Sequence, residues 1–257
     1  MRFERMMASG RTKPVVAECM EGAKQAGEFV LKLAGGMDQG IIGLACEAIA
    51  ARFAEAIGLK IPEPALVEIT PEFCDGVPDR DAAERLRRDQ GLVFGSKFVS
   101  GGYTTWLVNK AISERLRGAA SEVLAFDMFV QNPDRRPDRP NLLVKVDDLV
   151  VVDHDMAFSF LFALGNLDEA WQDSFETGIR KHVFYHGLKG RLGDLRRFHG
   201  AIEAVDDARL DAITLDIPAE WISTKVSRDR LHAIRRFLAR RRDYVGTLLD
   251  SLGRVMA

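Results

Sequence analysis

The spacing of apolar residues divides the chain into a first part of short strands and a second part of helices. Short apolar runs bounded by glycine or proline are typical of strands, whereas apolar residues repeating every three or four positions are typical of helices. The pattern predicts strands at 15–18, 29–33, 66–69 and 91–99 with a connection at 20–27, a hairpin of 142–146 and 149–153, and helices at 41–57, 119–130, 194–203 and 228–252.

The change in pattern near Gly101 predicts two lobes. Within the first lobe, the charged stretch 75–90 carries only scattered apolar residues, so we expect a surface insertion with one short helix at 82–88. We predict an α+β protein with a small mixed β/α N-lobe, residues 1–100, and a mainly helical C-lobe, residues 101–257.

Composition narrows the class of protein. A chain of 257 residues can bury a core without disulfides, and its three dispersed cysteines, Cys19, Cys46 and Cys74, favour a reducing compartment. The net charge of −2 gives no general attraction to nucleic acid. The apolar run 149–152 is too short to span a bilayer, and residues 1–7 lack the apolar core of a signal peptide. We therefore expect a soluble cytoplasmic protein without a membrane span.

The proline-rich, charged loop 132–141 lies between a predicted helix and the predicted hairpin. Phosphoryl transfer needs a carboxylate that orients the acceptor hydroxyl and takes its proton, and it needs amide and carboxylate oxygens that hold Mg²⁺. Asp134, Asn141 and Asp153 occur in the order that predicts this chemistry, with Asp155 as a second candidate metal ligand. Each residue alone is explained as well by a turn, but their combination favours a catalytic centre.

Lys32 lies inside an apolar strand, where an unpaired lysine is rare. The hypothesis is that Lys32 meets nucleotide phosphates and that Glu47, in the long predicted helix, is its acidic partner. Alternatively, Lys32 extends to water at the strand edge and Glu47 faces solvent. Arg11, Thr12 and Lys13, in the turn before the first strand, could cover phosphates, although this turn matches no glycine-rich phosphate motif.

Other patterns have ordinary structural explanations. His182 and His186 have a spacing that can hold zinc, but no third ligand is evident, and a packing or surface role is expected. The arginine-rich segment 235–242 has acidic residues nearby in the sequence, and it is expected to form a solvated face of the last helix. Core positions are expected for Trp106, Trp171 and Trp221.

Five segments between Ser9 and Phe158 resemble the HipA-like kinases, especially the short members that contain little more than the kinase core. The segments are SGRTKP, EFVLKL, CEAIAARFAEAIGLKIPEP, FDMFVQNPDRRPDRPNLLV and VVVDHDMAF. The resemblance implies a two-lobed, protein-kinase-like fold that is also related to lipid kinases. It further implies binding of ATP and Mg²⁺ and, as in the best-known members, phosphorylation of serine or threonine on a protein.

The resemblance also implies roles for individual residues. Lys32 would bind phosphates, Asp134 would be the catalytic base, and Asn141 and Asp153 would hold the metal. The segment 94–98 would be the hinge whose backbone meets adenine, which makes Phe94, Lys97 and Phe98 candidate nucleotide-binding residues.

One departure from the kinase pattern keeps alternatives open. Six residues separate Asp134 from Asn141, whereas kinases usually have four. We predict an ATP-dependent phosphotransferase that acts on a hydroxyl, with a protein as the leading acceptor and a small molecule or lipid headgroup as the second. A degenerate kinase fold that binds nucleotide only as a scaffold is the alternative of a different class.

Overall fold

The computed structural model describes residues 1–7, 14–108, 110–163 and 167–257. The strands in these ranges are β1 (Arg2–Met6), β2 (Val15–Glu21), β3 (Lys24–Lys32), β4 (Pro64–Ile69), β5 (Gly91–Lys97), β6 (Thr104–Thr105), β7 (Leu142–Lys145) and β8 (Asp148–Val151). The α-helices are α1 (Ile41–Ala56), α2 (Pro71–Asp75), α3 (Arg80–Arg88), α4 (Glu114–Val130), α5 (Glu176–Lys181), α6 (Tyr185–Leu188), α7 (Arg196–Glu203), α8 (Asp207–Leu215), α9 (Lys225–Asp243) and α10 (Val245–Met256).

The first sheet is antiparallel, with the strand order β1-β2-β3-β5-β4. Successive side chains of a strand point to opposite faces. Leu31 packs into the apolar cluster on one face, so the next residue, Lys32, lies on the other face beside its ladder partner Phe94. That second face looks toward α1, and the alternation of β3 thereby delivers a lysine to it.

The strands β2 and β3 are longer than predicted. They continue through most of 20–27 and meet at a tight turn in which Gly22 has a φ of 59°, a conformation that glycine adopts readily. The edge strand β1 was not predicted, because charged residues alternate along it.

The short helix predicted at 82–88 is present as α3, but the expectation that 75–90 is a surface insertion is wrong. The helix α3 starts at the N-cap Asp79 and buries Ala82, Ala83 and Leu86 against the first sheet. These three residues form a narrow apolar stripe on an otherwise charged helix, and that stripe is enough to cover one face of the sheet.

The helical part forms the larger apolar cluster. The buried apolar side chains of α1 belong to this cluster, and Phe53 of α1 stacks on Phe129 of α4 with ring centroids 5.4 Å apart. Trp106 and Trp221 are buried in it and Trp171 is partly buried. The α+β fold, with an antiparallel N-terminal sheet and a helical C-terminal part, is confirmed, while the division at residue 100 stays a prediction. In the described ranges, every helix is too short or too polar to cross a bilayer.

The predicted hairpin is present as β7 and β8, which form a second sheet with β6. The backbone N–H of Val151 donates to the carbonyl of Lys60 at 2.9 Å, and the side chain of Lys60 contacts Asp148. These contacts join the hairpin to the segment that follows α1, and so they fix the position of the residues just after β8.

Candidate active site

The helix α4 leads directly into the loop 132–141. Ser113 caps its first turn by accepting from the N–H of Leu116 at 3.2 Å, and Gln131 ends the helix in a left-handed conformation. Asp134 follows three residues later, and its N–H donates to the side-chain oxygen of Asn132 at 3.1 Å. A firmly terminated helix thus places Asp134 at a defined point of the loop.

A buried charge network lies behind this loop. Arg135, which is fully buried, donates to both carboxylate oxygens of Asp127 in α4. It also donates to the carbonyls of Asn141 at 2.6 Å and Val152 at 3.0 Å. One guanidinium therefore connects α4, the loop and the residue that precedes Asp153.

His182 completes this network from the beginning of the helical tail. Its Nδ1 accepts from the N–H of Phe184 at 3.1 Å, so the ring proton is placed on Nε2, which lies 3.0 Å from Asp127. Burial and the positive charge of Arg135 lower the pKa of His182, although Asp127 opposes the shift. Burial opposes ionisation of Asp127 as well, but Arg135 and His182 keep its pKa below the ordinary value. The network consists of an ionised aspartate, an arginine and a neutral histidine.

A second charged cluster brings the sheet, α1 and the end of the hairpin together. The Nζ of Lys32 donates to Asp153 at 2.6 Å and lies 3.8 Å from Glu47, and both Lys32 and Glu47 are buried. The carboxylate of Glu47 also accepts a hydrogen bond of 2.6 Å from the backbone N–H of His154. The structure thus pairs Lys32 with Glu47, as predicted from the sequence, and adds Asp153 to the pair.

The charges of this cluster shift one another's pKa values. Burial disfavours the charged forms of Lys32 and Asp153, but their mutual attraction prevails, so the pKa of Lys32 rises and that of Asp153 falls. For Asp155, the attraction of Lys32 is outweighed. Burial and the nearby charge of Asp153 raise its pKa to about 7.

The cluster has the ligand chemistry of a divalent-cation site. Glu47, Asp153 and Asp155 each offer a carboxylate oxygen, and these oxygens lie within 4.8 Å of one another. Three carboxylates face the single ammonium of Lys32 in this cluster, and oxygen ligands of this kind suit Mg²⁺. The donor set therefore fits the metal that the sequence predicts.

A cleft of about 550 Å³ opens beside this cluster, a size suited to a small-molecule ligand. Among the predicted site residues, its lining includes Lys32, Lys97, Phe98, Asn141 and Asp153.

Phe94 and Glu47 lie deeper, against a small neighbouring cavity. In the predicted hinge, the backbone N–H of Lys97 donates to the backbone carbonyl of Glu63, and that of Phe98 donates to the backbone carbonyl of Glu28. The predicted phosphate-covering residues Arg11, Thr12 and Lys13 lie outside the described residues.

Asn141 and Asp153 both have left-handed backbone conformations, with φ values of 48° and 63°. Asparagine and aspartate tolerate this region better than most residues, but it still costs free energy, which the surrounding contacts must offset. The donation from Arg135 to the carbonyl of Asn141 is one such contact.

A tight turn absorbs the extra length of the loop. Arg136 and Arg139 exchange two backbone hydrogen bonds of 3.0 Å, with Pro137 and Asp138 at the corner. The side chains of both arginines approach Asp134 Oδ1, at 3.7 and 3.6 Å. The loop is longer than in the usual kinase pattern, yet the residues on either side of the turn stay close.

Asp127 and Arg135 were not among the predicted site residues, and His182 was predicted to have only a packing or surface role. Asp127 carried a usable signal, because it is a charged residue inside the apolar helix 119–130, the same signal that pointed to Lys32.

Comparison with known proteins supports the resemblance drawn from the sequence. The chain is similar to the solved structure of the proinflammatory kinase CtkA of Helicobacter pylori, with 11% identity and a TM-score of 0.52; the match covers 95% of this chain and 92% of that chain. At this identity, the likeness concerns the fold alone. No curated protein matches the sequence. A family model described as HipA-like kinase matches residues 1–244, and the chain therefore belongs to the HipA-like kinase family.

Proposed function

We propose that this protein transfers the γ-phosphoryl group of ATP to a hydroxyl, with serine or threonine of a protein as the leading acceptor. The observation that carries the proposal is the joint placement of Lys32, Asn141 and Asp153 on one cleft, with Asp134 in the adjoining loop. Phosphoryl transfer depends mainly on positioning and on charge stabilisation, and this arrangement offers groups for both.

The first part of the chain would hold the nucleotide. Lys32 would exchange its contact with Asp153 for the phosphates, while Glu47, 3.8 Å away, keeps the ammonium oriented. Within the segment 94–98, Lys97 and Phe98 line the cleft and would meet adenine there. Arg11, Thr12 and Lys13 would cover the phosphates.

The hairpin and the loop would hold the metal. Asn141 and Asp153 are the proposed ligands, and Asp155 is the alternative or additional carboxylate. When bound, Mg²⁺ would neutralise the charge that develops on the phosphates. Asn141 and Asp153 both line the cleft, so their side chains would be available to one metal ion there.

Asp134 would orient the acceptor hydroxyl and take its proton. The long spacing between Asp134 and Asn141 does not argue against this role, because the turn formed by residues 136–139 accommodates the additional length. A protein acceptor is favoured by membership of the HipA-like kinases, since the best-known members phosphorylate serine or threonine on proteins.

The test is incubation with Mg²⁺ and γ-labelled ATP, comparing the wild type with Asp134→Asn and with Asp250→Asn. Asp250 is an exposed carboxylate on α10 and is the matched control. We expect transfer of label to the protein itself or to an added protein, a loss of about a thousandfold in Asp134→Asn, and wild-type activity in Asp250→Asn. If ATP stabilises the protein but is neither transferred nor hydrolysed, the protein is a nucleotide-binding scaffold and not an enzyme. Absence of any nucleotide effect would overturn both.

A further inference from the structure

The turn that lengthens the catalytic loop carries two arginines on one side. Arg136 and Arg139 are directly opposite residues that exchange both of their backbone hydrogen bonds. In an antiparallel pair of this kind, the two side chains project from the same face. Both guanidinium groups consequently lie next to Asp134 Oδ1.

These contacts leave hydrogen-bonding capacity on the arginines. The distances of 3.7 and 3.6 Å to Asp134 exceed those of a charge-assisted hydrogen bond, which are about 2.7–2.9 Å. Arg136 also contacts the exposed Asp138 at 3.2 Å, while its buried Nε has no hydrogen-bond partner within the described part of the chain. The two arginines are thus held beside Asp134 by charge, in positions that do not use all of their donors.

Their exposure makes them reachable by a ligand. The side chain of Arg136 is 37% exposed and that of Arg139 is 44% exposed, whereas Asp134 between them is 19% exposed. Arg139 lines the cleft together with Asn141, while Arg136 is not among the described residues that line it. In-line transfer requires the acceptor to approach from the side opposite the leaving nucleotide, and Arg136 offers a half-exposed cation beside Asp134 that is not part of the described cleft lining.

We infer that Arg136, reinforced by Arg139, recognises an anionic group next to the acceptor hydroxyl. The acceptor class would be a serine or threonine flanked by a carboxylate or by a phosphate group. Guanidinium groups bind both anions through paired N–H donors, and an incoming anion would draw the arginines away from Asp134 as the hydroxyl arrives. This inference rests on the proposed phosphoryl transfer to a protein and specifies the substrate of that reaction.

The test uses serine peptides that are identical except for the residues flanking the serine, which are glutamate, phosphothreonine, glutamine or lysine. For the wild type, we expect kcat/KM for the glutamate or phosphothreonine peptides to exceed that for the glutamine peptide by about tenfold or more. Arg136→Gln should reduce this ratio to near one, and Arg136→Glu should shift the preference to the lysine peptide. Comparing kcat/KM for the glutamate peptide with that for the phosphothreonine peptide shows which of the two anions, carboxylate or phosphate, is preferred.

The control is Arg196→Glu, a charge reversal at a residue whose side chain is 91% exposed on α7, and it should keep the wild-type ratio. If the Arg136 variants are inactive or unfolded, the salt dependence of the wild-type ratio decides, because the half-exposed charges should lose most of the preference between about 0.05 and 0.5 M salt. Transfer by the wild type without an acidic preference, or a preference that survives Arg136→Gln, would overturn the inference and leave the proposed function intact. Nucleotide binding without transfer to any peptide would overturn the protein-acceptor function and the inference together.

Discussion

Two charge networks lie near the loop 132–141, and they differ in how completely their charges are matched. The network of Asp127, Arg135 and His182 balances one anion against one cation, and the histidine contributes a neutral hydrogen bond. The cluster around Lys32 sets one cation against three carboxylates. The first network is complete in itself, whereas the second has an excess of negative charge that a bound cation would offset.

Their exposure differs in the same sense. Arg135, Asp127 and His182 are almost entirely buried, while the side chain of Asp153 is 34% exposed and lines the cleft. A closed and balanced network can hold a loop in one conformation, and an open and unbalanced cluster can bind a ligand. We therefore expect substitutions in the first to reduce stability and substitutions in the second to reduce activity.

The largest effect is expected for Asp127→Ala. The substitution leaves Arg135 buried without its carboxylate, and breaking a buried ion pair costs about 3–5 kcal/mol. Urea unfolding monitored by circular dichroism measures the loss, with the exposed Asp250→Ala as a control that should change the free energy of unfolding by less than about 0.5 kcal/mol.

A second variant sharpens this prediction. Asp127→Leu combined with Arg135→Met removes both charges and should be less destabilised than Asp127→Ala. If Asp127→Ala stays within about 1 kcal/mol of the wild type, the network does not hold the loop as described.

Lys32→Met should have the opposite profile. Phosphoryl transfer is expected to fall about 100- to 1000-fold, because the cation that would position the phosphates is lost. The loss of stability should be smaller than for Asp127→Ala, about 1–2 kcal/mol, because the open cluster can take up a proton or water. Label transfer and urea unfolding measure the two effects separately.

The matched control for Lys32→Met is Lys225→Met, whose side chain is 83% exposed on α9. Added Mg²⁺ should stabilise the wild type and Lys225→Met by the same small amount. It should stabilise Lys32→Met more, since three carboxylates then lack a cation. A loss of stability as large as that of Asp127→Ala, with activity retained, would reverse the comparison.

The sequence predicted the open cluster better than the closed network. Lys32 and Glu47 were found because a lysine in an apolar strand needs a partner, and Asp134, Asn141 and Asp153 were found by their order along the chain. The pairing of Asp127 with His182 spans 55 residues, and such a contact depends on how the helices pack. A periodic pattern shows which face of a helix is buried, but not which distant residue it meets.

The remaining differences have the same origin. Arg241 belongs to the segment 235–242 that was expected to be solvated, yet it is fully buried and donates to the carbonyls of Met128 and Phe129 at the end of α4. A cation that serves the last carbonyls of a helix can be buried, but the sequence does not reveal which helix it will reach. The α+β fold itself followed from the strand and helix patterns, because those patterns are local.

The smallest effect is expected for Asp155→Asn in chelator-containing buffer, and its dependence on pH is its signature. Burial and the charge of Asp153 raise the pKa of Asp155 to about 7 in the folded protein, above the ordinary value of 3.8. Between these values the folded protein binds more protons than the unfolded chain, so the contribution of this group to stability falls as the pH rises from about 4 to 7. Asparagine carries no charge at any pH, and Asp155→Asn should therefore be more stable than the wild type at pH 8, by roughly 1–2 kcal/mol after solvent screening.

The difference between Asp155→Asn and the wild type should shrink toward zero as the pH falls below the ordinary pKa of 3.8, because the aspartate is then neutral in both the folded and the unfolded state. Asp127 gives the opposite dependence on pH. Its pKa is lowered in the folded protein, so it stabilises the fold at pH values above its ordinary pKa, and this contribution is lost as the pH falls. The pH dependence is checked by measuring the free energy of unfolding of the wild type and of Asp155→Asn at several pH values. A stability difference that is independent of pH would mean that Asp155 is equally ionised in the folded and unfolded protein, and the cluster around Lys32 would then carry no unmatched negative charge for a metal to offset.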